Sequence, residues 1–180
     1  MTEQQNRTDI ERKQPQAFSD LPSLYQAYAR RVFHFHYARV QNQHEAEDLT
    51  SQTFTAAWER WHTLRNPKKA VGWLFSIARN KGSDHFRKRQ HIHDEELKEE
   101  LTNSALSDNL QISSETRDRL LDLRLCIEKF PKAEQDLLRL RLVAELPFKQ
   151  ISETLRQPET RIKKRYYRLL ERLQAQMEQE

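Results

Sequence analysis

Two glycines in 180 residues leave this chain little access to left-handed backbone. That scarcity excludes Gly-rich phosphate loops and argues against the hairpin turns of a β-sandwich. No stretch alternates like a strand and no segment repeats, whereas apolar residues return at helical spacing along most of the chain. The fold class expected is all-α. Hydrophobic residues make up only 36% of the chain and charged residues 32%. That is too little apolar material for one large core, but enough for two small helical domains with polar connections. The lone Cys126 excludes an internal disulfide and a Cys-based zinc cage, and fits a reducing, cytoplasmic setting. The first seventeen residues lack the apolar stretch of a signal peptide. The most apolar window, Ala70 to Ala78, falls far short of the ~20 residues of a membrane span, so no membrane insertion is expected.

Four stretches follow from the pattern. Residues 1–17 are polar and read as disordered. Residues 18–90 carry three helical stripes: Leu24, Tyr28, Val32 and Phe35; Ala46, Leu49, Thr53 and Ala57; and Ala70, Trp73, Leu74, Ile77 and Ala78. The third helix is expected to end in the basic run Arg87-Lys88-Arg89. Residues 91–116 read as a flexible linker, with a transient helix from about Glu95 to Leu101; between His91 and Asp118 eight acids face two bases. Residues 117–176 hold leucine-rich helices punctuated by Pro131, Pro147 and Pro158, with Leu137, Leu138, Leu140, Leu142 and Val143 on the helix after Pro131.

The segment from Pro147 to Leu173 has the pattern of a helix-turn-helix. With Ile162, Tyr166, Leu169 and Leu173 inside, a rotation of ~100° per residue turns Thr160, Arg161, Lys164, Tyr167 and Arg168 outward together. Lys163, Arg165 and Arg172 flank them, so the outward residues could reach base edges in a major groove and the flanking cations its phosphates. The front domain interleaves Trp58, Trp61, Trp73, Phe75 and Phe86 with Arg60, Arg65, Lys68, Lys69, Arg79 and Lys81. Aromatic surfaces beside cations suit unstacked single-stranded DNA. Packing in the core accounts for most of these aromatics, Trp58 and Trp73 included, but less readily for the loop around Arg65 to Lys69.

Three segments taken together resemble the extracytoplasmic-function sigma factors, the small two-domain initiation factors of bacterial RNA polymerase in the sigma-70 family. They are AEDLTSQTFTAAWERW (Ala46 to Trp61), WLFSIARNKGSDHFRKR (Trp73 to Arg89) and FKQISETLRQPETRIKKRYYRLLERL (Phe148 to Leu173). The resemblance implies a sigma-2-like bundle of three to four helices and a sigma-4-like helix-turn-helix domain. It also implies partners: core polymerase, through its β′ coiled coil and β flap; promoter DNA; and an anti-sigma factor. It places Glu47, Asp48, Ser51 and Gln52 on the polymerase-docking face. Recognition and melting of the minus-10 element fall to the loop with Arg65, Asn66, Lys68 and Lys69, and to Arg79, Asn80, Asp84, Arg87 and Lys88. Thr160, Arg161, Lys163, Lys164, Arg165, Tyr167 and Arg168 take the minus-35 element as duplex. Three departures stand out. Ser51-Gln52 replaces the family's usual Gln-Glu; Arg156 and Gln157 occupy a turn that usually holds a Gly and an apolar residue; and Arg161 replaces a common Thr.

Other signals carry less. Ser83-Asp84-His85 are adjacent on a helix and point apart, so they form no catalytic relay. His44-Glu45 lacks the second His of a zinc-protease helix, and His34/His36 cannot converge on one metal. His91/His93 in the linker remains a weak metal pair, and Cys126 among leucines reads as a core residue. No enzyme activity, cofactor or metal is expected. The competing reading is a stand-alone helix-turn-helix regulator with a dimerising front domain, which would bind its operator unaided.

Overall fold

The structure, a computed structural model, describes residues 17–93 and 122–178, with side chains described for 17–89 and 122–178. The readings for residues 1–16, for the linker, for the Glu95–Leu101 helix and for the His91/His93 pair fall outside the described residues.

Helix α1 (Leu21–Val40) starts where the Asp20 carboxylate accepts the Ser23 backbone N–H at 2.8 Å, a bond that holds the Asp20 carboxyl below the usual carboxylate range. It ends at Gln41, whose left-handed backbone (φ 55) closes the helix. Helix α2 (Gln43–Arg60) is capped in turn by Asn42, which accepts from Glu45 N at 3.0 Å. Two short 3-10 turns, Trp61–Thr63 and Pro67–Lys69, then lead into α3 (Ala70–His93). This helix outruns the expected end at Arg89. The ion pair of Arg89 with Glu45 of α2, and that of Arg87 with Asp84, tie down its last turns, where cations also suit the helix dipole.

Leu24, Val32, Phe35, Leu49, Ala57, Leu74 and Phe75 close the core of this front bundle. One polar group is sealed inside it. His36 Nε2 lies 3.0 Å from Thr53 Oγ1, whose hydroxyl already donates to the Leu49 carbonyl at 2.7 Å. The imidazole must therefore be the donor, which fixes the Nε2–H tautomer; Nδ1 has no hydrogen-bond partner among the described residues. Burial first, then the charges of Arg39 and His85, hold the His36 pKa down to about 3.

The second unit begins with helix α4, described over residues 122–128, on which Cys126 is buried. Helix α5 (Lys132–Leu138) continues into a π turn, Arg139–Val143. The wider turn breaks the helical register expected for the leucines. Leu137, Leu138 and Leu140 go inside, but Leu142 is left 53% exposed. Arg141 takes an inner place instead, donating to the Leu146 carbonyl at 3.1 Å with its guanidinium 4.3 Å from the Phe148 ring centre. Helix α6 (Phe148–Leu155) and helix α7 (Glu159–Met177) follow, with Ile162, Tyr166, Leu169 and Leu173 buried. The turn between them needs a left-handed residue, and Arg156 supplies it (φ 52) at a steric cost glycine would not incur. Among the described residues there is no strand, and no helix is long and apolar enough to cross a membrane.

Candidate functional site

Three surfaces carry the polar chemistry. On α7, Thr160, Arg161, Lys164, Tyr167 and Arg168 all face solvent. Arg161, Lys164 and Arg168 make no ion pair with a described residue, so their charges stay available. The flanking cations are placed differently. Lys163 is half-buried and pairs with Glu159 at 2.9 Å; Arg165 donates to Gln157 Oε1 at 3.0 Å. Arg172 meets Glu134 of α5 at 3.1 Å and lies over the Phe130 ring at 4.8 Å. Arg165 and Arg172 tie the helix to the preceding turn and to α5, and Lys163 pairs within the helix with its ammonium 5.7 Å from the Phe148 ring centre of α6, whereas the outer row is left for a ligand. That row, on an exposed helix behind a tight turn, has the dimensions to enter a major groove.

The second surface runs along α3. Trp73, Ser76, Asn80, Asp84 and Arg87 recur at spacings of three, four, four and three, so they share one face. Its upstream end is the pair of 3-10 turns, where Arg65, Asn66, Lys68 and Lys69 are exposed. Asn66 is partly committed: its Oδ1 accepts the Lys68 backbone N–H at 3.0 Å, fixing the turn while leaving its amide N–H groups free to donate. Trp61 and Trp73 meet edge to face at 5.9 Å and floor this loop. Farther along, Lys81, Asp84, His85, Arg87 and Lys88 line a cleft with Gln52 of α2. Arg79 is half-buried on the flank of α3 and lies close enough to Arg39 to depress its pKa.

The third surface is the outer face of α2. Glu47, Asp48, Ser51 and Gln52 are exposed, and Gln52 donates to the Asp48 carboxylate at 2.7 Å. Beside it Trp58 is 69% exposed and Tyr25 52% exposed, over a shallow groove between α1 and α2 that Leu21, Phe33 and Phe54 also line. The core placement expected for Trp58 is therefore wrong. Ala57 and Phe54 fill the inner face of α2, and position 58 turns outward between Thr55 and Glu59, both exposed. Acids next to uncovered aromatic surface fit a protein partner better than a nucleic acid.

Residues 24–92 match the model of sigma-70 region 2. The ECF RNA polymerase sigma factor SigM of Bacillus subtilis is 27% identical over 155 residues, spanning 86% of this chain and 93% of SigM. SigW from the same organism is 28% identical over 171 residues, 89% of each chain. The front unit carries a sigma-70 region 2, and over most of its length the chain is similar to extracytoplasmic-function sigma factors. The same fold occurs in the sigma factor RpoE bound to the anti-sigma factor NepR from Bartonella quintana. There the TM-score is 0.63 at 19% identity, over 89% of this chain and 98% of that one. It occurs again in CnrH bound to the cytosolic domain of CnrY, with a TM-score of 0.64 at 16% identity over 89% and 88% of the two chains.

The residues read from the sequence fall on the three separate surfaces just described. No group of His, Cys, Asp and Glu among the described residues could hold a metal. Sequence reasoning missed the groups that join the two units. Arg39 of α1 reaches Asp136 of α5 across 97 positions of sequence, at 3.4 Å. Arg139 approaches the same oxygen at 3.4 Å, and burial is the main reason the pKa values of both arginines are lowered, that of Arg139 to about 10. A signal was present in the two glycines, which both sit inside α3, where glycine weakens a helix by ~1 kcal/mol relative to alanine. Each marks a close approach: Gly72 to Glu153, and Gly82 to the Arg39 side chain.

Proposed function

We infer that the factor joins core RNA polymerase through α2 and brings two DNA readers to one promoter. Glu47, Asp48, Ser51 and Gln52, with Trp58 beside them, form the docking face toward the polymerase β′ coiled coil. The row Arg161, Lys164 and Arg168, with Thr160 and Tyr167, reads the minus-35 element as duplex. Lys163 and Arg165 support that row, and reach phosphates only at the expense of their present partners. The 3-10 loop and the α3 face, from Arg65 and Asn66 through Lys68, Lys69, Arg79, Asn80, Asp84, Arg87 and Lys88, take the minus-10 element as it opens. A flipped base can stack near Trp61 and Trp73 or hydrogen-bond to the free amide of Asn66, and such contacts offset an unpairing cost of a few kcal/mol. The β flap is the expected partner of the second unit. Because the two structural relatives were determined with anti-sigma factors, we infer a protein regulator that covers the same docking and DNA faces. The factor itself carries no catalytic step and works in the cytoplasm, where polymerase is.

The observation that carries this reading is the coexistence on one chain of a duplex-reading helix and a separate aromatic-floored polar loop, both apart from an acidic docking face. A stand-alone regulator needs only the first. The test is run-off transcription from a genomic promoter library by core polymerase with and without the purified factor, beside operator selection with the factor alone. Promoter-specific transcripts that require both factor and core are expected. Specific, dimeric binding without core, and no transcripts with it, would establish the regulator instead.

A further inference from the structure

The entry to α7 holds two acceptors of different charge. Glu159, in the first turn, takes the Lys163 ammonium at 2.9 Å. Gln157, in the turn before it, takes an Arg165 N–H on Oε1 at 3.0 Å, eight positions along the chain. A guanidinium only donates, so the oxygen of that amide must be the end that faces it. Gln157 is itself held from both sides. Its backbone N–H donates to the Ser152 carbonyl at 3.1 Å, closing α6, and Pro158 confines the backbone of the residue before it. Both acceptors and both cations are half-buried. Lys163 and Arg165 stand on either side of the outward Lys164, each turned from it by ~100°. A helix lying in a major groove has a phosphate wall on each side, so one of these cations faces each wall.

The two pairs differ in what a phosphate can take from them. At Lys163 it must displace a carboxylate, so one anion replaces another and little is gained. At Arg165 it displaces no anion. The amide of Gln157 is neutral and engages one N–H of the guanidinium, and Arg165 makes no ion pair with a described residue. The other N–H groups remain for a charge-assisted bond to phosphate, which is often bidentate. Ordering the side chain in advance also removes part of the entropy cost of binding. We propose that Gln157 is a positioning residue: it keeps Arg165 charged and aimed at a phosphate on one wall of the groove, while Glu159 withholds Lys163 from the other. The grip on duplex is thereby lopsided. The proposal rests on the duplex-reading role of α7 given above. A bond that only braced the turn would work as well with a carboxylate at position 157 as with an amide.

Gln157→Glu tests this, because it keeps an acceptor in place and turns the neutral bond into an ion pair. The full chain is assembled with core polymerase, and binding to a promoter fragment with a duplex minus-35 element is followed across salt concentrations. The salt slope of the variant should be shallower by ~0.9, one phosphate's worth, with affinity about eightfold lower at ~0.1 M salt. Gln157→Leu removes the acceptor and leaves the charge, so its slope should match the wild type while affinity falls about threefold. Glu159→Gln should release Lys163 and steepen the slope by ~0.9. In an Arg165→Ala background, Gln157→Glu should leave the slope where it is. A wild-type slope in Gln157→Glu would overturn the proposal and leave the bond a brace. An equal drop with and without Arg165 would also overturn it, because the new carboxylate would then be repelling DNA directly. Should Gln157→Glu fail to fold, Glu159→Gln carries the decision, and an unchanged slope there counts against the lopsided grip. Wild-type holoenzyme that prefers no promoter over random duplex would sink the reading of α7, and the slopes on that random duplex would still judge the role of Gln157.

Discussion

The two DNA-facing surfaces differ in how they hold their charge. On α7 the outer cations Arg161, Lys164 and Arg168 are unpaired among described residues, while an inner set, Lys163, Arg165 and Arg172, is bonded to protein partners. On α3 the order is mixed: Arg87 is paired to Asp84 and Arg89 to Glu45, and the uncovered groups near the loop are as much aromatic and amide as cationic. A duplex presents a regular array of phosphates and base edges, so a rigid row of free cations serves it. An opened strand presents bases, whose faces need surface to stack on and whose edges need donors; excess charge there would favour the closed duplex equally well.

That contrast can be broken most severely at the loop. Replacing Arg65, Lys68 and Lys69 with alanine, while keeping Asn66 because it caps the turn, should abolish open-complex formation on duplex promoters and leave minus-35 binding intact. A pre-melted bubble should restore part of the activity. Permanganate footprinting reads this directly, and full reactivity of minus-10 thymines with the variant would refute the loop's role.

The next effect separates the two units by acid. The unfolded chain protonates His36 near pH 6.5, but the folded bundle holds it neutral down to about 3. The stabilisation present above pH 6.5 is therefore lost as pH falls through that window, by an amount on the order of a few kcal/mol. Urea unfolding followed at pH 7 and pH 4.5 should show the loss in the wild type and a smaller one in His36→Phe. Equal slopes would mean that another group dominates.

Within α7 the expected differences are smaller. Lys164→Ala should cost about 1–3 kcal/mol on the preferred minus-35 sequence and relax specificity at one position. Lys163→Ala should cost less, and evenly across sequences, because Glu159 already holds that ammonium. Binding over a randomised minus-35 library distinguishes the two, and identical profiles would dissolve the inner and outer rows. Asp48→Arg gives the smallest change in folding, within about 0.5 kcal/mol for an exposed site, yet should displace the factor from core polymerase in competition with its wild type. Normal competition would move the docking face elsewhere.

Helical periodicity made most of the fold legible, because a stripe such as Leu24, Tyr28, Val32 and Phe35 depends only on local spacing. The outward row of α7 followed from the same arithmetic. Even the cost at Arg156 could be read from the absence of glycine in a turn that wants one. Other features depended on what local spacing cannot carry. The π turn at Arg139–Val143 inserts an irregularity that rotates Leu142 out, and nothing in its composition marks it. Trp58 looked like core because tryptophan usually is; only the filled inner face of α2 shows otherwise. The Arg39–Asp136 pair joins residues too far apart in sequence for any periodicity to link, and the glycines that betray the joint look, in sequence, like plain scarcity.

The exposed Trp58 gives the molecule its own optical reporter. Of its three tryptophans, Trp61 and Trp73 lie against each other and are half-buried, so the red-edge emission of the free factor belongs mainly to the indole standing in water beside the docking helix. Any partner that settles on that helix must dry it, and the colour of the protein's fluorescence will record the arrival without a label.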